Sequence, residues 1–267
     1  MTETNRYALM MEALNELKPE LDAERARQAK PAKPSPALPM LGEVLTGYAP
    51  MPPAALFLGV ASDDLPVLLN IHDPIPGPIL ILADAGAGKT TLLQTIALAA
   101  GAMHQPEDLQ FGALTNHPDE WSGVEGVPNN VGIFSLHKQA ASDFILSLAS
   151  WAHDNKTSQQ SVLLLLDDLE AASNLDFDAR QNLRWLLLRG PARRVWPVIT
   201  LNPNRMENIL PWLDAFHTRI FGTIQNSRHI KQLDAVSAEL GSLQSGSHFT
   251  LREGDSWLRF WIPSIDY

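Results

Sequence analysis

A short run of small residues, 83–90, has the composition of a loop that binds phosphate groups. It reads Ala-Asp-Ala-Gly-Ala-Gly-Lys-Thr, and it lies between two apolar stretches, Ile79–Leu82 and Leu92–Ala100. Gly86 and Gly88 permit the backbone torsions that turn successive amide groups toward one point. The flanking stretches predict that a strand ends and a helix begins here, so the helix dipole would add to the attraction for anions. The segment therefore predicts a site for a phosphorylated ligand.

The run matches the P-loop pattern, with Ala83 at the position of the first glycine. In that pattern Lys89 reaches the β- and γ-phosphates, and the Thr90 hydroxyl ligates Mg²⁺. The sequence contains no guanine-reading Asn-Lys-x-Asp motif. We predict that a nucleotide and Mg²⁺ bind here, with the nucleotide held by Ala85, Gly86, Ala87, Gly88, Lys89, Thr90 and Thr91.

Two carboxylates follow the uninterrupted apolar run Val162–Leu166, which is typical of a strand covered on both faces. Asp167 is predicted to hold Mg²⁺ opposite the hydroxyl of Thr90. Asp168 stands at the position where P-loop ATPases of this class usually carry a glutamate, the base that orients the attacking water. Because Asp is one methylene shorter than Glu, Glu170 is kept as a second candidate for that base.

Asn202 follows the next apolar strand, Val198–Leu201. A polar amide in this place is able to sense the γ-phosphate or to position water. The sequence Asn202-Pro203-Asn204 is also typical of a simple turn. Both interpretations are open, and the sensing role is slightly favoured.

The rest of the chain supplies the elements that must position these residues. Residues 1–30 predict an amphipathic helix, residues 31–54 a Pro-rich linker or surface strap, and residues 55–267 one domain. In that domain strands alternate with helices, which predicts an α/β fold with a mainly parallel sheet. One β-hairpin is predicted before the phosphate-binding loop, over 56–71, and another closes the chain, over 248–262.

Composition limits the environment and the partners. The 267 residues include no Cys, which excludes disulfides and thiolate metal sites and fits a reducing cytoplasm. No apolar run is long enough to cross a bilayer, so we expect no transmembrane segment and a cytoplasmic protein. The net charge of −10 argues against nucleic-acid binding over the whole surface. Six arginines and no acid lie between Ala179 and Met206, either as a functional patch or as a solvated face.

The order of these features resembles the FtsK/SpoIIIE–HerA family of ATP-driven motors. The resemblance extends over about Leu56 to Ile262, and the spacing from Asp167 to Asn202 is close to the family's. It also rests on short segments that are similar to the family's hairpin strands and later motifs, namely 56–60, 66–69, His217-Thr218-Arg219-Ile220, Asn226-Ser227-Arg228, Leu233-Asp234 and Ala238-Glu239-Leu240. The departures are Ala83 for Gly, Asp168 for Glu and Asn202 for Gln, and the family's membrane region and winged-helix module have no counterpart.

The resemblance implies a RecA-like P-loop NTPase fold of the ASCE type, with ATP as the nucleotide. It further implies a homo-oligomer, such as a hexameric ring, that couples ATP hydrolysis to the translocation of DNA. An arginine from one subunit would complete the neighbour's site, and the candidates are Arg193, Arg194 and Arg219, with Arg189 behind them.

Two other functions remain open. The acidic balance and the missing DNA-orienting module favour an ATPase of a protein secretion or assembly system. Asp168 in place of Glu favours a slow nucleotide-dependent switch whose N-terminal helix recruits a protein partner. An ABC-type transporter is disfavoured, because no LSGGQ-like signature lies between the two nucleotide motifs.

Overall fold

The structure is a computed structural model that describes residues 38–155, 157–253 and 256–265. A ten-stranded mixed sheet forms its centre. Its strands are β1 (Ala55–Ala61), β2 (Pro66–Asn70), β3 (Ile79–Leu82), β4 (Leu109–Thr115), β5 (Asn130–Ser135), β6 (Ser161–Leu166), β7 (Val195–Leu201), β8 (Thr218–Phe221), β9 (His248–Glu253) and β10 (Ser256–Trp261). They lie in the order β2-β1-β10-β9-β8-β3-β7-β6-β4-β5. The six strands from β8 to β5 are parallel and the other pairs are antiparallel, which confirms the predicted mainly parallel α/β sheet.

Helices cover both faces of the parallel strands. They are α1 (Leu41–Gly47), α2 (Lys89–Met103), α3 (Ser122–Glu125), α4 (Gln139–Asp154), α5 (Phe177–Arg189), α6 (Leu210–Leu213) and α7 (Ser227–Gln232). The apolar side chains of α4 and α5 share one buried cluster with β6, and those of α2 and α3 share another on the opposite face. This three-layer packing hides β3, β6 and β7 completely, as their apolar runs predict. None of the helices in the described ranges is long and apolar enough to cross a bilayer.

The strand order fixes where the chemistry is located. Strand β7 pairs with β3 on one side and with β6 on the other. The strand before the phosphate-binding loop is therefore separated from the acidic strand by one inserted strand, which is the arrangement of ASCE-type P-loop NTPases. Because all three strands are parallel, their carboxyl ends meet at one edge, where ligands of such sheets bind.

Both predicted hairpins are present, and they join each other. Strands β1 and β2 pair antiparallel, as do β9 and β10. The structure adds a contact that the sequence did not predict: β10 also pairs with β1, through Val60 with Trp261 and Ala61 with Phe260. The two hairpins thereby become four neighbouring strands of the same sheet. Gly254, which joins β9 to β10, lies outside the described residues.

Helix α1 lies within the segment that was expected to be an extended linker. Its buried side chains, Leu41, Val44 and Leu45, pack with Phe57 of β1 and Ala99 of α2. The amide of Leu41 also bonds the carbonyl oxygen of Ser264 at 2.9 Å. The compact unit accordingly begins at Leu38, and 38–54 belong to it. The predicted helix over 1–30 lies outside the described residues.

Strand β7 begins three residues earlier than the pattern predicts. A proline cannot donate a ladder hydrogen bond, so the sequence predicts a strand that starts at Val198. In the structure Pro197 lies inside β7, level with Leu164 of β6. Pairing with β3 begins only at Val198. The proline therefore occupies the part of the strand that has a neighbouring strand on one side only.

Candidate nucleotide-binding site

The loop between β3 and α2 has the backbone conformation of an anion-binding nest. Gly86 and Gly88 have φ of 71° and 86°, in the left-handed region that glycine adopts without strain. Gly88 is also the residue before the first turn of the 15-residue helix α2. A Cβ atom at Gly88 would lie 2.5 Å from the carbonyl oxygen of Gly246. Glycine at 88 is thus required both by the torsion and by the close approach of the segment before β9.

The side chain of Lys89 folds back over this loop. Its Nζ lies 2.9 Å from the carbonyl oxygens of both Ala83 and Asp84. Burial lowers the pKa of Lys89, and the nearby carboxylates, Asp167 foremost, partly oppose that shift. An ammonium group has three N–H donors, and the two carbonyls use two of them. The third remains for a phosphate oxygen, so Lys89 is both held in place and able to bind the ligand.

Asp167 is the centre of a hydrogen-bonded cluster at the end of β6. Thr90 donates its hydroxyl to Oδ2 of Asp167 at 2.8 Å, and Thr200 donates its hydroxyl to Oδ1 at 2.8 Å. Burial raises the pKa of Asp167, and the two hydroxyl bonds oppose the rise because they stabilise the ionised form. A hydroxyl and a carboxylate oxygen at this separation are hard ligands that suit Mg²⁺. The pair predicted to hold the metal, Thr90 and Asp167, is therefore brought together.

Asp168 and Glu170, the two candidate bases, lie next to each other. Asp168 has a positive φ of 83°, and its amide bonds the hydroxyl of Thr200 at 2.7 Å. Its Oδ1 accepts from the amide of Glu170 at 3.3 Å. Nη1 of Arg205 lies 3.2 Å from Oδ2 of Asp168 and 3.1 Å from Oε2 of Glu170. One guanidinium group therefore bridges both carboxylates.

Solved structures with this architecture are numerous, although the sequences have diverged far. No profile of a known protein family matches the chain, and no curated protein matches it. ATPases 2 and 3 of Thermomonospora curvata EccC, solved with a signal sequence peptide, superpose with a TM-score of 0.66 at 14% identity, over 90% of this chain and 45% of that one. ATPases 2 and 3 of EssC from Geobacillus thermodenitrificans give 0.65 at 13% identity, over 88% of this chain and 48% of that one. The pCW3 conjugation coupling protein TcpA, solved as a monomer with ATPγS, gives 0.60 at 13%, over 86% and 70%.

The chain has the fold of an FtsK/SpoIIIE-type ATPase domain. This confirms the fold that the resemblance implied. The match covers a little under half of each of these EccC and EssC chains, at 45% and 48%. The fold is thus shared with single ATPase units of longer chains.

Within this FtsK/SpoIIIE-type fold, Asn202 forms the turn after β7. Its side-chain oxygen accepts from the amide of Asn204 at 3.1 Å, and its carbonyl oxygen accepts from the amide of Arg205 at 2.9 Å. The side-chain oxygen is thus used locally, which leaves the amide NH₂ as the group for any sensing role. That role stays a prediction.

Thr200 was missed by the sequence analysis, although it contacts more of the site than Asn202 does. It is fully buried and bonds both Asp167 and the amide of Asp168. The available signal was a single polar residue in the otherwise apolar strand β7. Arg205 was noted only as part of the basic stretch.

The arginines predicted to act in trans do not reach their own chain's site. Arg193 and Arg194 precede β7, level with the start of β6, which places them about 20 Å from Asp167 at the rise of a strand. Nη2 of Arg194 bonds Gln159 at 2.9 Å. Arg219 lies on β8 and donates to the carbonyl oxygens of Leu213 and Phe216, and burial lowers its pKa. Arg189 ends α5 and is exposed.

Proposed function

We propose that this chain binds ATP with Mg²⁺ and hydrolyses it. The observation that supports this best is the cluster of Lys89, Thr90, Asp167 and Thr200 at the carboxyl edge of the sheet, next to the nest-forming loop. Three of the four carry the groups that phosphoryl-transfer sites need, namely a cation for the phosphates and two oxygen ligands for a metal. A fold shared with ATPase domains agrees with this proposal.

In the proposed reaction each residue has one task. The loop amides and Lys89 hold the β- and γ-phosphates, and Thr90 with Asp167 hold Mg²⁺, which supplies positive charge at the phosphate oxygens when bound. Asp168 or Glu170 accepts a hydrogen bond from the attacking water and orients it toward the γ-phosphorus. Thr200 keeps the Asp167 carboxylate turned toward Thr90.

We further propose that the chain works as an oligomeric motor that moves DNA. The family resemblance supports this, and TcpA, which shares the fold, is a conjugation coupling protein. A protein secretion or assembly system is the second candidate. The net charge of −10 favours it, because an acidic surface repels DNA. EccC, a Type VII secretion ATPase from Thermomonospora curvata, also shares the fold.

Steady-state ATP hydrolysis, measured with and without double-stranded DNA, tests these proposals. Light scattering on the same samples gives the mass of the oligomer. A third set of samples contains an unfolded polypeptide in place of DNA. Stimulation by DNA supports the DNA motor, and stimulation only by the polypeptide supports the second candidate. If Mg·ATP is not hydrolysed above the level of Lys89→Ala under any of these conditions, the chain acts as a nucleotide switch at most.

A mixing experiment tests whether neighbouring subunits share a site. Lys89→Ala disables the phosphate loop, and a variant of Arg193, Arg194 or Arg219 disables one candidate arginine. If the arginine acts in trans, mixing the two inactive proteins restores part of the activity, since some interfaces then pair an intact loop with an intact arginine. Sharing is rejected if specific activity does not change with protein concentration while light scattering shows only monomer.

A further inference from the structure

The segment after β7 carries Arg205 to the two candidate bases. The turn at Asn202 sets its backbone through the bond from the Arg205 amide to the Asn202 carbonyl at 2.9 Å. From there the side chain reaches Asp168 and Glu170 with the same nitrogen, Nη1, at 3.2 and 3.1 Å. Both groups that are able to orient water are thus bound to a single cation.

This contact has the properties of a movable ion pair. The side chain of Arg205 is 55% exposed, and those of Asp168 and Glu170 are 26% and 34% exposed. The guanidinium is therefore open to water, whereas Oε2 of Glu170 is itself buried. Ion pairs with an exposed, water-screened cation contribute little to folding stability. Nη1 carries two of the five guanidinium donors, so three donors remain on the other nitrogens for another anion.

Arg205 also lies close enough to act on the phosphate site. Its charge is among the influences that lower the pKa of Lys89. Contacts connect the two places directly: Asp168 bonds Thr200 through its amide, Thr200 bonds Asp167, and Asp167 bonds Thr90 of the loop. A γ-phosphate held by the loop would therefore lie beside the same cluster and would compete with the carboxylates for the guanidinium.

We propose that Arg205 is a positioning residue that responds to the third phosphate of ATP. The γ-phosphate draws the guanidinium away from Asp168 and Glu170, because a planar fork binds phosphate oxygens bidentately. The released carboxylate then accepts the hydrogen bond of the attacking water. ADP has no γ-phosphate, so with ADP the ion pair stays closed. This inference rests on the proposed function of the site.

The preference for ATP over ADP is the quantity that tests this role. Calorimetry with Mg²⁺ gives dissociation constants for ADP and for a non-hydrolysable ATP analogue, and steady-state assays give kcat. Arg205→Ala should lose about tenfold of the preference for the ATP analogue, the scale of one hydrogen bond to a charged group. Its ADP affinity should stay within about twofold, and its kcat should fall. Arg205→Lys keeps the positive charge but lacks the planar guanidinium group, so its preference for the ATP analogue should lie between those of the parent and Arg205→Ala.

Arg259→Gln is the matched control, because it breaks an exposed ion pair with Glu239 at 2.9 Å on β10. It should keep the parental preference and kcat. The role is overturned if Arg205→Ala keeps the parental preference for the ATP analogue over ADP, or if it loses affinity for both nucleotides equally. A higher kcat in Arg205→Ala would also overturn it, because Arg205 would then only restrain the carboxylates. If the parent protein binds neither nucleotide, the proposed function itself fails. Parental turnover with an unaffected Arg205→Ala would refute this inference alone.

Discussion

Charged residues lie at both the carboxyl ends and the amino ends of the parallel strands, but their hydrogen-bond partners differ between the two places. At the carboxyl ends Lys89 and Asp167 are half-buried, and each has two hydrogen-bond partners, loop carbonyls for Lys89 and threonine hydroxyls for Asp167. At the amino ends Arg193 and Arg194 are half-buried, and Arg194 bonds the side chain of Gln159. Helix dipoles explain part of the difference. Helix α2 begins at the carboxyl ends of the strands, whereas α4 and α5 end near the amino ends. Helix C-termini attract cations, which favours arginine at the amino ends.

This comparison separates charges that need a ligand from charges that do not. At the amino ends Arg194 already has a partner in Gln159, and the helices α4 and α5 end nearby, so a positive charge is favoured there without any phosphate. The charges at the carboxyl ends cost free energy in the fold, since burial lowers the pKa of Lys89 and raises that of Asp167, and such shifts are typical of functional sites. Changes at the carboxyl ends should therefore affect the reaction most and the fold least.

The largest effect is expected for the water-orienting carboxylate. Asp168→Asn should slow ATP hydrolysis by about 10²–10⁴-fold while Mg·ATP stays bound, because general-base contributions have this size and Asp167 is kept. Asn also tolerates the positive φ at this position, which limits damage to the backbone. Single-turnover hydrolysis measures the effect. Normal turnover in Asp168→Asn with an inactive Glu170→Gln would assign the base to Glu170.

The next effect concerns binding. Lys89→Ala should weaken ATP binding by about 2–4 kcal/mol, the scale of removing one partner from a desolvated charge pair. The fold should persist, because Lys89 bonds loop carbonyls and packs in no apolar cluster. Calorimetric titration checks this, with Arg180→Gln on α5 as the control for the loss of one positive charge. Equal ATP affinities for Lys89→Ala and the parent would contradict a phosphate-binding role for Lys89.

A smaller effect is expected at Thr200. Thr200→Val keeps the shape and removes the hydroxyl that bonds Asp167 and the amide of Asp168. Groups that orient a metal ligand typically contribute 10–100-fold to metal affinity or activity. We expect a loss of about that size in the Mg²⁺ dependence of hydrolysis and near-parental behaviour for Thr200→Ser. If Val and Ser behave alike, the hydroxyl has no part in holding Asp167.

The smallest effect is on stability and depends on pH. Because burial raises the pKa of Asp167 above its ordinary 3.8, the folded state holds this proton more readily than the unfolded chain. Stability then falls as pH rises from 3.8 through the folded-state pKa, and the loss persists at neutral pH. Asp167→Asn should therefore raise the unfolding midpoint by about 2–4 °C at pH 7, on the order of 1 kcal/mol, and not below pH 3.8. Thermal unfolding without nucleotide at both pH values measures this; a lower midpoint at pH 7 would contradict it.

What the sequence could predict follows from how local each signal is. The phosphate loop, Asp167 and the strands and helices around them were predictable, because glycine spacing and apolar runs act within a few residues. Thr200 and Arg205 were not, because their partners come from β6 and the segment after it. Helix α1 was missed for a similar reason, since its formation in a Pro-rich segment depends on burial against β1 and α2.

The pairing of β1 with β10 has a consequence for how the chain is made. Synthesis delivers β1 and β2 well before β10, so one edge of the buried, apolar strand β1 has no partner until the strands from β3 to β9 have been made. An exposed apolar edge of this kind invites pairing with other chains. A fragment that stops before β9 would leave β1 and β8 unprotected at once. Shortened versions of the protein should therefore keep the β9–β10 hairpin, even though it lies several strands away from the acidic end of β6.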